Sequence, residues 1–435
     1  MSFLELSLKL KGFPMEKADK EIQRLNSLSR MEFKEWQNEK KWEAAKYHLK
    51  NNQFYRNKLN DSLPSSWEEI PILRKKDFQI SLDNLISDTI DKKDLYTGYT
   101  SGSSGHPFRY AKDKFSHAMT WALIKDRYNS YGISLDSKQA RFYGIPLEKM
   151  EYYSEKTKDF LANRVRFPVF DLSDTALKNF LEIFRKNKFE YVYGYSSSIL
   201  LFAEYLKRTG IVLKKECPTL KICICTSENC SDEDKEIIGK AFGIPVVNEY
   251  GTSEVDLIAF ENKDGNWRLS DENVFTEILD EDGKNITDGR EGRIVLTSLH
   301  NKAMPFIRYE IGDRATAIQD ENGVKLLKLF GGINDELILP SGKKSSSITF
   351  YFVTRSILNK IDSLKEFVIK QTKPDTFVFE MVTEKDISEE EADKIRKKMD
   401  EYLEPGLKAE FKRVDKIQRT KAGKMKQFYS YVRQN

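Results

Sequence analysis

Short β-rich runs alternate with helical runs through the middle of this 435-residue chain, from about residue 95 to residue 330. Strands that alternate with helices are typical of an α/β body with largely parallel pairing, because a helical crossover returns the chain to the same edge of the sheet. The strand candidates are 164–172, 189–195, 220–227 and 244–251, and helical periodicity covers 174–187 and 197–209.

The pattern differs on both sides of this body. Apolar residues at helical spacing over 16–60 predict a helical segment within 1–60. After residue 332, roughly 100 residues read as α+β, which is enough for a separate domain. We therefore predict two domains, 1–331 and 332–435. The elements predicted in the second are strands at 365–371, 375–383 and 408–414, and a helix between the capping box of Ser388 and Glu391 and the stop signal Pro405-Gly406.

The charge balance excludes a dedicated nucleic-acid binder. The 72 Lys and Arg residues against 68 Asp and Glu leave a net charge of +4, whereas tracking a phosphate backbone needs a concentrated basic face. No run approaches the ~18 uninterrupted apolar residues of a membrane helix, and Glu5, Lys9 and Lys11 interrupt the first leucines. We expect no nucleic-acid partner, no integral membrane segment and no signal peptide.

The cysteines are clustered but lack the spacing of a zinc site. Cys217, Cys223, Cys225 and Cys230 contain no Cys-x-x-Cys pair, and the Cys-x-Cys step alternates as a strand would. They are therefore predicted to be free core residues, which indicates a reduced, cytoplasmic location.

The strongest local signal is the run of small and hydroxyl residues at 99–107, YTSGSSGHP. Consecutive small residues let backbone amides converge, and the hydroxyls add donors, so such a loop can wrap the oxygens of a polyphosphate. No Gly-Lys-Ser/Thr follows, so the run is not a Walker P-loop. Taken alone, it is equally typical of a flexible surface loop.

Three further signals follow. At 248–254, NEYGTSE places an aromatic, a glycine, a hydroxyl and a carboxylate after an apolar strand, which suits base stacking and a magnesium ligand. Asp313 follows Gly312, where it could accept from ribose hydroxyls. Lys424 lies in a basic tail, 405–435, with nine Lys and Arg against two acidic residues. Each alone is an ordinary turn or a solvated charge run, but the four occur in one order and spacing.

This constellation resembles the superfamily of adenylate-forming enzymes, which contains acyl-CoA synthetases, peptide-synthetase adenylation domains and luciferases. The resemblance covers nearly the whole length. It is greatest to the branch of phenylacetate-CoA ligases and related proteins of capsular-polysaccharide gene clusters, which are similar to the opening LELSLKLKGFP and to PILRKKDF at 71–78. It implies an α/β fold, with a large N-terminal adenylation body with subdomains and a small mobile α+β C-terminal domain.

The resemblance also implies ATP and Mg²⁺ as cofactors and a role for each motif residue. Catalytic roles fall on Lys424, Thr252 and Glu254: the lysine approaches the acid and the α-phosphate, Thr252 lies beside that phosphate, and Glu254 supports the metal. Tyr250 would lie against adenine, and Asp313 would bind the ribose. The residues implied to bind the nucleotide are Thr100, Ser101, Gly102, Ser103, Ser104, Gly105, Ser227, Glu228, Tyr250, Gly251, Arg308 and Asp313.

Four residues occupy positions that resemble the acyl pocket of the family. The aromatic rings among them could line a slot for a flat or short acid, although core packing explains such aromatics equally well. They are Tyr143, Gly144, Tyr195 and Ser196. His106 and His117 have no partner arrangement for acid–base work and are expected to be structural.

The sequence departs from the family pattern in two places. The hinge is expected at 330–335, where Gly332 replaces an arginine and Asn334 an acidic residue. These changes would either loosen the link between the domains or remove a nucleotide contact. Residues 340–347 replace the glycine-rich stretch that helps to shape the thioester-forming state of CoA ligases. This leaves the acceptor open between CoA, an amine and a sugar hydroxyl.

The function that follows is an AMP-forming ligase, phenylacetate-CoA ligase-like, that activates a small-molecule carboxylic acid in cell-envelope or capsular polysaccharide biosynthesis. One alternative is an adenylyl transferase that leaves AMP on its acceptor. A non-catalytic nucleotide-binding protein is a third possibility. Retention of Glu254, Asp313 and Lys424 argues against the third, because a binding module has little need of a mobile lysine.

Overall fold

The structure is a computed structural model, and its chain divides into two compact units. The first unit contains 1–100, 108–135 and 249–331, and the second contains 101–107, 136–248 and 332–435. The residues that the structure describes are 3–100, 108–145, 149–228, 230–320, 323–330, 336–346, 349–350, 353, 364–417 and 428–432.

The helices and strands of the described residues are numbered in chain order. The helices are α1 (Phe3–Leu10), α2 (Met15–Ser27), α3 (Arg30–Asn51), α4 (Gln53–Lys58), α5 (Lys114–Asn129), α6 (Lys149–Leu161), α7 (Asp174–Lys186), α8 (Ser196–Thr209), α9 (Leu213–Glu216), α10 (Asp232–Phe242) and α11 (Glu389–Tyr402). The strands are β1 (Leu73–Arg74), β2 (Leu95–Tyr99), β3 (Arg109–Asp113), β4 (Gln139–Phe142), β5 (Arg164–Phe167), β6 (Tyr191–Tyr195), β7 (Ile222–Thr226), β8 (Val246–Thr252), β9 (Asp256–Glu261), β10 (Trp267–Leu269), β11 (Val274–Leu279), β12 (Asp288–Ser298), β13 (Tyr309–Asp320), β14 (Gly323–Phe330), β15 (Glu336–Ile338), β16 (Lys344–Ser346), β17 (Leu364–Lys373), β18 (Thr376–Thr383), β19 (Lys408–Arg413) and β20 (Phe428–Ser430).

An antiparallel sheet dominates the first unit. Strands β11, β12, β13 and β14 pair antiparallel in that order, and β1 joins β13 in parallel. The connections between successive strands of this sheet are too short for a helical crossover, so each strand returns antiparallel to the one before it. The prediction of largely parallel pairing is therefore wrong for 256–330. Helices α2, α3 and α4 confirm the helical segment predicted over 16–60.

A hairpin in the same unit frames the predicted phosphate loop. Strands β2 and β3 pair antiparallel up to Tyr99 opposite Arg109. Thr100 extends the pairing, because its backbone N donates to the carbonyl of Phe108 at 3.0 Å. Directly after β3, the Asp113 carboxylate caps α5 by accepting from the backbone N of residues 115 and 116. The strand and the capped helix therefore fix both flanks of the loop, whose residues 101–107 lie outside the described part.

The second unit contains the predicted parallel sheet. Strands run in the order β7-β6-β4-β5, and each neighbouring pair is parallel. The even-numbered face of β4 packs into the core, where the Phe142 ring stacks on Phe167 at 4.9 Å. Gly194 faces Phe142 so closely that a Cβ there would lie 2.2 Å from the Phe142 carbonyl oxygen. The parallel pairing and helices α7 and α8 confirm the sequence prediction for this part.

Strands β17, β18 and β19 and helix α11 of the C-terminal segment were predicted, whereas β15, β16 and β20 were not. The sheet has four strands in the order β19-β18-β17-β20, and the capping box of Ser388 and Glu391 starts α11. This segment shares a hydrophobic core with 136–248, in which the Phe170 and Tyr402 rings meet edge to face at 4.8 Å. The domain boundary at 331/332 and the mobility of the C-terminal domain stay predictions.

The cysteines agree with the prediction of free core residues. All four are free and buried, and Cys223 and Cys225 lie on β7. Within the part of the chain that the structure describes, no helix is both long and apolar enough to cross a membrane.

Candidate active site

Two carboxylates of the predicted motifs are each bound by a tyrosine hydroxyl in the first unit. Tyr309 on β13 donates to Glu254 Oε1 at 2.8 Å, and Tyr250 on β8 donates to Asp313 Oδ2 at 2.9 Å. Burial raises the pKa of both tyrosines well above the ordinary value, and the charges of Glu254 and Asp313 add to the effect. Both hydroxyls therefore remain protonated donors, and the four side chains form one cluster.

The turn that carries Thr252 and Glu254 is anchored by a buried lysine. Lys112 on β3 donates from Nζ to the Ser253 carbonyl at 2.8 Å and to Asp256 Oδ1. The Lys112 side chain is only 3% exposed, and Asp256 has φ +72°, a left-handed conformation that aspartate adopts at a cost. The ion pair offsets this cost and fixes the backbone between the two predicted catalytic residues.

The glycine of this motif is required by the packing of the same turn. A Cβ at Gly251 would lie 2.4 Å from the Asp256 carbonyl oxygen, so a side chain there would push β8 and β9 apart. One residue later, Thr252 Oγ1 accepts from the Val255 backbone N at 3.2 Å. The hydrogen bond between Thr252 and Val255 thus adds to the Lys112 contacts that hold the turn.

Arg308 is buried among groups of the protein interior. Its side chain is 2% exposed, and its guanidinium pairs with Glu277 at 3.2 Å and donates to the carbonyls of Glu68 and Ile70. Glu277 also accepts from Trp67 Nε1 at 3.1 Å. All these groups lie inside the first unit, and their contacts with Arg308 stabilise the packing around it. The predicted contact of Arg308 with the nucleotide stays a prediction.

In the second unit, the predicted pocket residues contact one another. The Tyr143 ring stacks on Tyr195 at 4.1 Å, and its hydroxyl is 3.0 Å from Ser227 Oγ. Tyr143 follows β4, Tyr195 ends β6 and Ser227 follows β7, so the contacts join the carboxyl ends of neighbouring parallel strands. Ligands of open α/β sheets bind at this edge.

Glu228 completes the N-terminus of α8. Its Oε2 accepts from the Ser197 backbone N at 2.7 Å, and its carbonyl accepts from Ser196 Oγ at 3.2 Å. The preceding residue, Tyr195, provides no side-chain cap, so the carboxylate satisfies an otherwise unpaired helical N–H and complements the helix dipole. This contact positions Ser196 and Glu228 together, and a nucleotide contact by Glu228 stays a prediction.

Comparisons with known proteins relate the chain to CapK and to CoA ligases. The profile of the CapK C-terminal domain family matches residues 341–430. Protein CapK of Staphylococcus aureus is 24% identical over 397 residues, which cover 84% of this chain and 85% of that protein. Phenylacetate-coenzyme A ligase of Pseudomonas putida is 28% identical over 158 residues, 35% of each chain. A crystal structure of 2-hydroxyisobutyryl-CoA ligase in complex with 2-HIB-AMP and CoA covers 93% of this chain and 91% of its own, with a TM-score of 0.60 and 17% identity.

These matches support the recognition of the chain as CapK-like and similar to adenylate-forming ligases. The likeness to the solved ligase extends over both units, so the mixed α/β fold with a C-terminal domain is that of adenylate-forming ligases. The resemblance of the sequence to the phenylacetate-CoA ligase branch and to its capsular type is confirmed.

Part of the predicted site of this CapK-like chain lies outside the described residues. The described members fall into two groups, the tyrosine–carboxylate cluster of the first unit and the Tyr143 group of the second. Thr100 lies at the base of the loop, where its Oγ1 accepts from the Phe108 backbone N at 3.0 Å. The predicted residues outside the description are Ser101, Gly102, Ser103, Ser104, Gly105, Asn334 and Lys424.

The chemistry of the first cluster fits Mg²⁺. Glu254 offers a carboxylate, the ligand type that Mg²⁺ prefers, and Tyr309 fixes its orientation. In the described ranges, no group of three or more His, Cys, Asp and Glu side chains is placed to hold a metal ion. Mg²⁺ is commonly held by one or two carboxylates together with water and substrate phosphates, so a single glutamate is sufficient.

His117 lies on α5 in an aromatic environment. Its ring stacks on Tyr96 at 4.0 Å, and its Nε2 accepts from Trp121 Nε1 at 3.2 Å. Burial lowers the pKa of His117 to about 4, so the imidazole is neutral at physiological pH. These contacts agree with the structural role expected for it, and His106 lies outside the described residues.

Sequence reasoning missed Lys112 and Tyr309, which position the motif residues. Lys112 is 141 residues from Ser253, and Tyr309 is 55 residues from Glu254. Tyr309 follows Arg308 in the stretch RYEIGD at 308–313, which also contains Asp313, so its position next to a predicted ligand was a usable signal. The sequence around Lys112 gave no such signal, because an isolated lysine on a strand is usually exposed to solvent.

Replacing Lys112 should disturb the turn without abolishing the fold. We expect Lys112→Met to lower kcat for acyl-adenylate formation about 10-fold, because small displacements of catalytic groups are costly. The exposed Lys46→Met is the matched control and should match the wild type. An unchanged kcat in Lys112→Met, measured by pyrophosphate exchange, would show that the ion pair does not position the turn.

Proposed function

We propose that this CapK-like chain is an AMP-forming ligase. It activates a carboxylic acid with ATP to an acyl-adenylate, releases pyrophosphate and transfers the acyl group to CoA or another nucleophile. The acceptor is CoA, an amine or a sugar hydroxyl, and the reaction serves the synthesis of a capsular or other envelope polysaccharide. The observation that carries the proposal is the cluster in which Tyr309 and Tyr250 orient Glu254 and Asp313.

The cluster brings together, in one unit, the two carboxylates that the proposal assigns to Mg²⁺ and to the ribose. Asp313 follows Gly312 on β13 and is half-buried, so its free oxygen can accept from the vicinal hydroxyls of a ribose. Glu254 is 3% exposed and keeps one oxygen beyond its bond to Tyr309. The two tyrosines cannot ionise near neutral pH, which prevents additional negative charge beside the triphosphate.

The reaction brings two anions together, the carboxylate of the acid and the α-phosphate of ATP. Mg²⁺, when bound, supplies positive charge that stabilises the phosphate oxygens. The amides of the predicted loop, Thr252 and the Lys424 ammonium add donors where charge develops in the transition state. Lys112 and Tyr309 hold the turn and Glu254 in place before the reactants arrive, so less reorganisation is required during the reaction.

The names of the relatives support this proposal. Phenylacetate-coenzyme A ligase and 2-hydroxyisobutyryl-CoA ligase are named for the joining of an acid to CoA. CapK matches most of the chain, and its family supplies the C-terminal domain profile. Together they favour an acid-activating enzyme with an acceptor suited to capsule synthesis.

The deciding experiment is ATP–pyrophosphate exchange with a panel of carboxylic acids, followed by mass analysis of the products. We expect acid-dependent exchange, AMP as a product and a lower rate in Lys424→Ala. An acceptor that carries AMP would establish the adenylyl-transferase alternative instead. ATP binding without exchange for any acid would favour the non-catalytic alternative.

A further inference from the structure

One face of the parallel sheet in the second unit carries three arginines. Arg141 lies on β4, and Arg164 and Arg166 lie on β5, where the register places Arg166 beside Arg141. Helix α6 contributes two carboxylates to this face, Glu155 and Asp159. The face therefore has one more positive charge than negative charges among these five groups.

Both carboxylates are used by the two arginines of β5. Asp159 accepts from Arg164 Nε at 2.5 Å and from Arg166 Nε at 2.9 Å, and Glu155 accepts from Arg166 at 2.8 Å. Burial lowers the pKa of Arg164 to about 10, and repulsion by Arg141 contributes to the shift. The ion pairs on α6 thus leave Arg141 without a carboxylate oxygen within 4.0 Å among the described residues, although the charge of Asp159 still acts on it from further away.

Arg141 differs in this respect from the other arginines that are buried or half-buried in the described ranges. Each of the others lies within 4.0 Å of a carboxylate oxygen, whereas Arg141 has no such partner among the described residues. An unpaired, partly desolvated charge is costly, so its retention calls for a counter-charge. The paired arginines are Arg56, Arg127, Arg164, Arg166, Arg293, Arg308, Arg314 and Arg396.

Part of the hydrogen-bonding edge of Arg141 has no partner among the described residues. The guanidinium carbon lies 4.1 Å from the centre of the Tyr143 ring and 5.0 Å from that of Tyr193, so aromatic rings cover its face. One terminal nitrogen donates to Gln139 Oε1 at 3.3 Å, and the buried Nε has no hydrogen-bond partner among the described residues. A planar fork held by its face suits bidentate binding of a carboxylate.

This cluster is continuous with the predicted acyl pocket. Tyr143 contacts both the Arg141 guanidinium and Ser227, and the Gly144 carbonyl accepts from Arg166 at 2.5 Å. We propose that Arg141 binds a second carboxylate of the acid that this enzyme activates, so that its substrate class is the dicarboxylic acids. The inference rests on the proposed function.

The second carboxylate is the more suitable ligand for chemical reasons. An arginine on the reacting carboxylate would stabilise the ground state and oppose attack on the α-phosphate. An arginine bound to the non-reacting carboxylate contributes the same binding energy in the ground state and in the transition state. It therefore determines which acid binds without opposing the reaction. Charge-assisted hydrogen bonds of this kind discriminate by about 10- to 100-fold.

The test uses matched acids and matched variants of the whole chain. Exchange is measured with butanoate against succinate, pentanoate against glutarate, and phenylacetate against 4-carboxyphenylacetate. We expect the dicarboxylates to be preferred, and Arg141→Gln to lower kcat/KM for them about 10- to 100-fold while the monocarboxylates change less than about 3-fold. Arg185→Gln, an exposed arginine on α7, is the control and should retain the wild-type preference.

Thermal unfolding without ATP gives a readout that does not need turnover. Succinate and glutarate should raise the unfolding temperature of the wild type and of Arg185→Gln but not that of Arg141→Gln. The unfolding temperature of Arg141→Gln without acid serves only as its baseline, because the variant loses both an unpaired cation and the cation–π contacts with Tyr143 and Tyr193. An equal rise with succinate in the wild type and in Arg141→Gln would overturn the inference.

The remaining outcomes separate the inference from the proposed function. If dicarboxylates raise the unfolding temperature through Arg141 but no acid supports exchange, the anion site stands and the proposed ligase activity is wrong. Exchange with an acid preference that Arg141→Gln leaves unchanged would retain the ligase and overturn the inference. A raised KM for ATP in Arg141→Gln, without a changed acid preference, would assign the anion to a nucleotide phosphate and overturn it as well.

Discussion

Glu254→Gln is expected to lower kcat for ATP–pyrophosphate exchange about 10²- to 10³-fold, the range found when one preorganised electrostatic group is removed from an active site. Glutamine keeps the volume of the side chain and an oxygen that can accept from Tyr309, so the change removes mainly the negative charge. If that charge supports Mg²⁺, the Mg²⁺ concentration that gives half-maximal rate should rise in the variant.

A tyrosine variant separates charge from orientation at the same carboxylate. Tyr309→Phe removes the hydroxyl that donates to Glu254 and keeps the charge, so we expect a loss of about 10-fold with an unchanged Mg²⁺ requirement. Tyr131→Phe is the control, because its hydroxyl donates to the Glu261 carbonyl elsewhere in the first unit.

For the Glu254→Gln variant, a wild-type rate of exchange would show that the motif does not place this glutamate at the reacting phosphates.

Arg308→Met is expected to destabilise the first unit by about 3–5 kcal/mol, the usual cost of leaving one member of a buried ion pair alone. The side chains of Arg308 and Glu277 are 2% and 5% exposed, so water cannot replace the lost partner. Burial already raises the pKa of Glu277, and Arg308 counteracts that effect. Without the arginine, the pKa of Glu277 rises further, so the destabilisation should be smaller at pH 5 than at pH 7.5.

Tryptophan fluorescence reports this unfolding directly, because all five tryptophans lie in the first unit. The double variant Arg308→Met/Glu277→Gln removes both charges and retains an acceptor for Trp67, so it should recover part of the lost free energy of unfolding. A fully stable Arg308→Met with a raised KM for ATP would instead support the nucleotide contact predicted from the sequence.

Local signals predicted most elements because they act over a few residues. The capping box of Ser388 and Glu391 satisfies helical N–H groups within one turn, and it starts α11 as predicted. Short β-rich runs identified β5, β6, β7 and β8. The pairing of 256–330 was not predictable in this way, because strand direction depends on the connections and on the sheet that receives each strand.

The contacts of Arg308 were likewise not predictable from local sequence signals. A guanidinium in a polar motif can turn towards a ligand or towards the interior, and the sequence contains both the motif and a distant carboxylate. In the structure the guanidinium faces the interior, since β11 brings Glu277 beside it and the carbonyls of Glu68 and Ile70 accept from its Nη1; the nucleotide contact stays a prediction. Burial of these groups depends on packing between elements far apart in the chain.

The sequence by itself determined the superfamily, the kinds of secondary structure and the motif residues Tyr250, Glu254 and Asp313, because local propensity and motif spacing are properties of neighbouring residues. Only the tertiary structure decided that Lys112 fixes the Glu254 turn and that Arg141 lies unpaired among the described residues. Both facts arise from sheet register and burial, which bring distant residues together and determine which charges find partners.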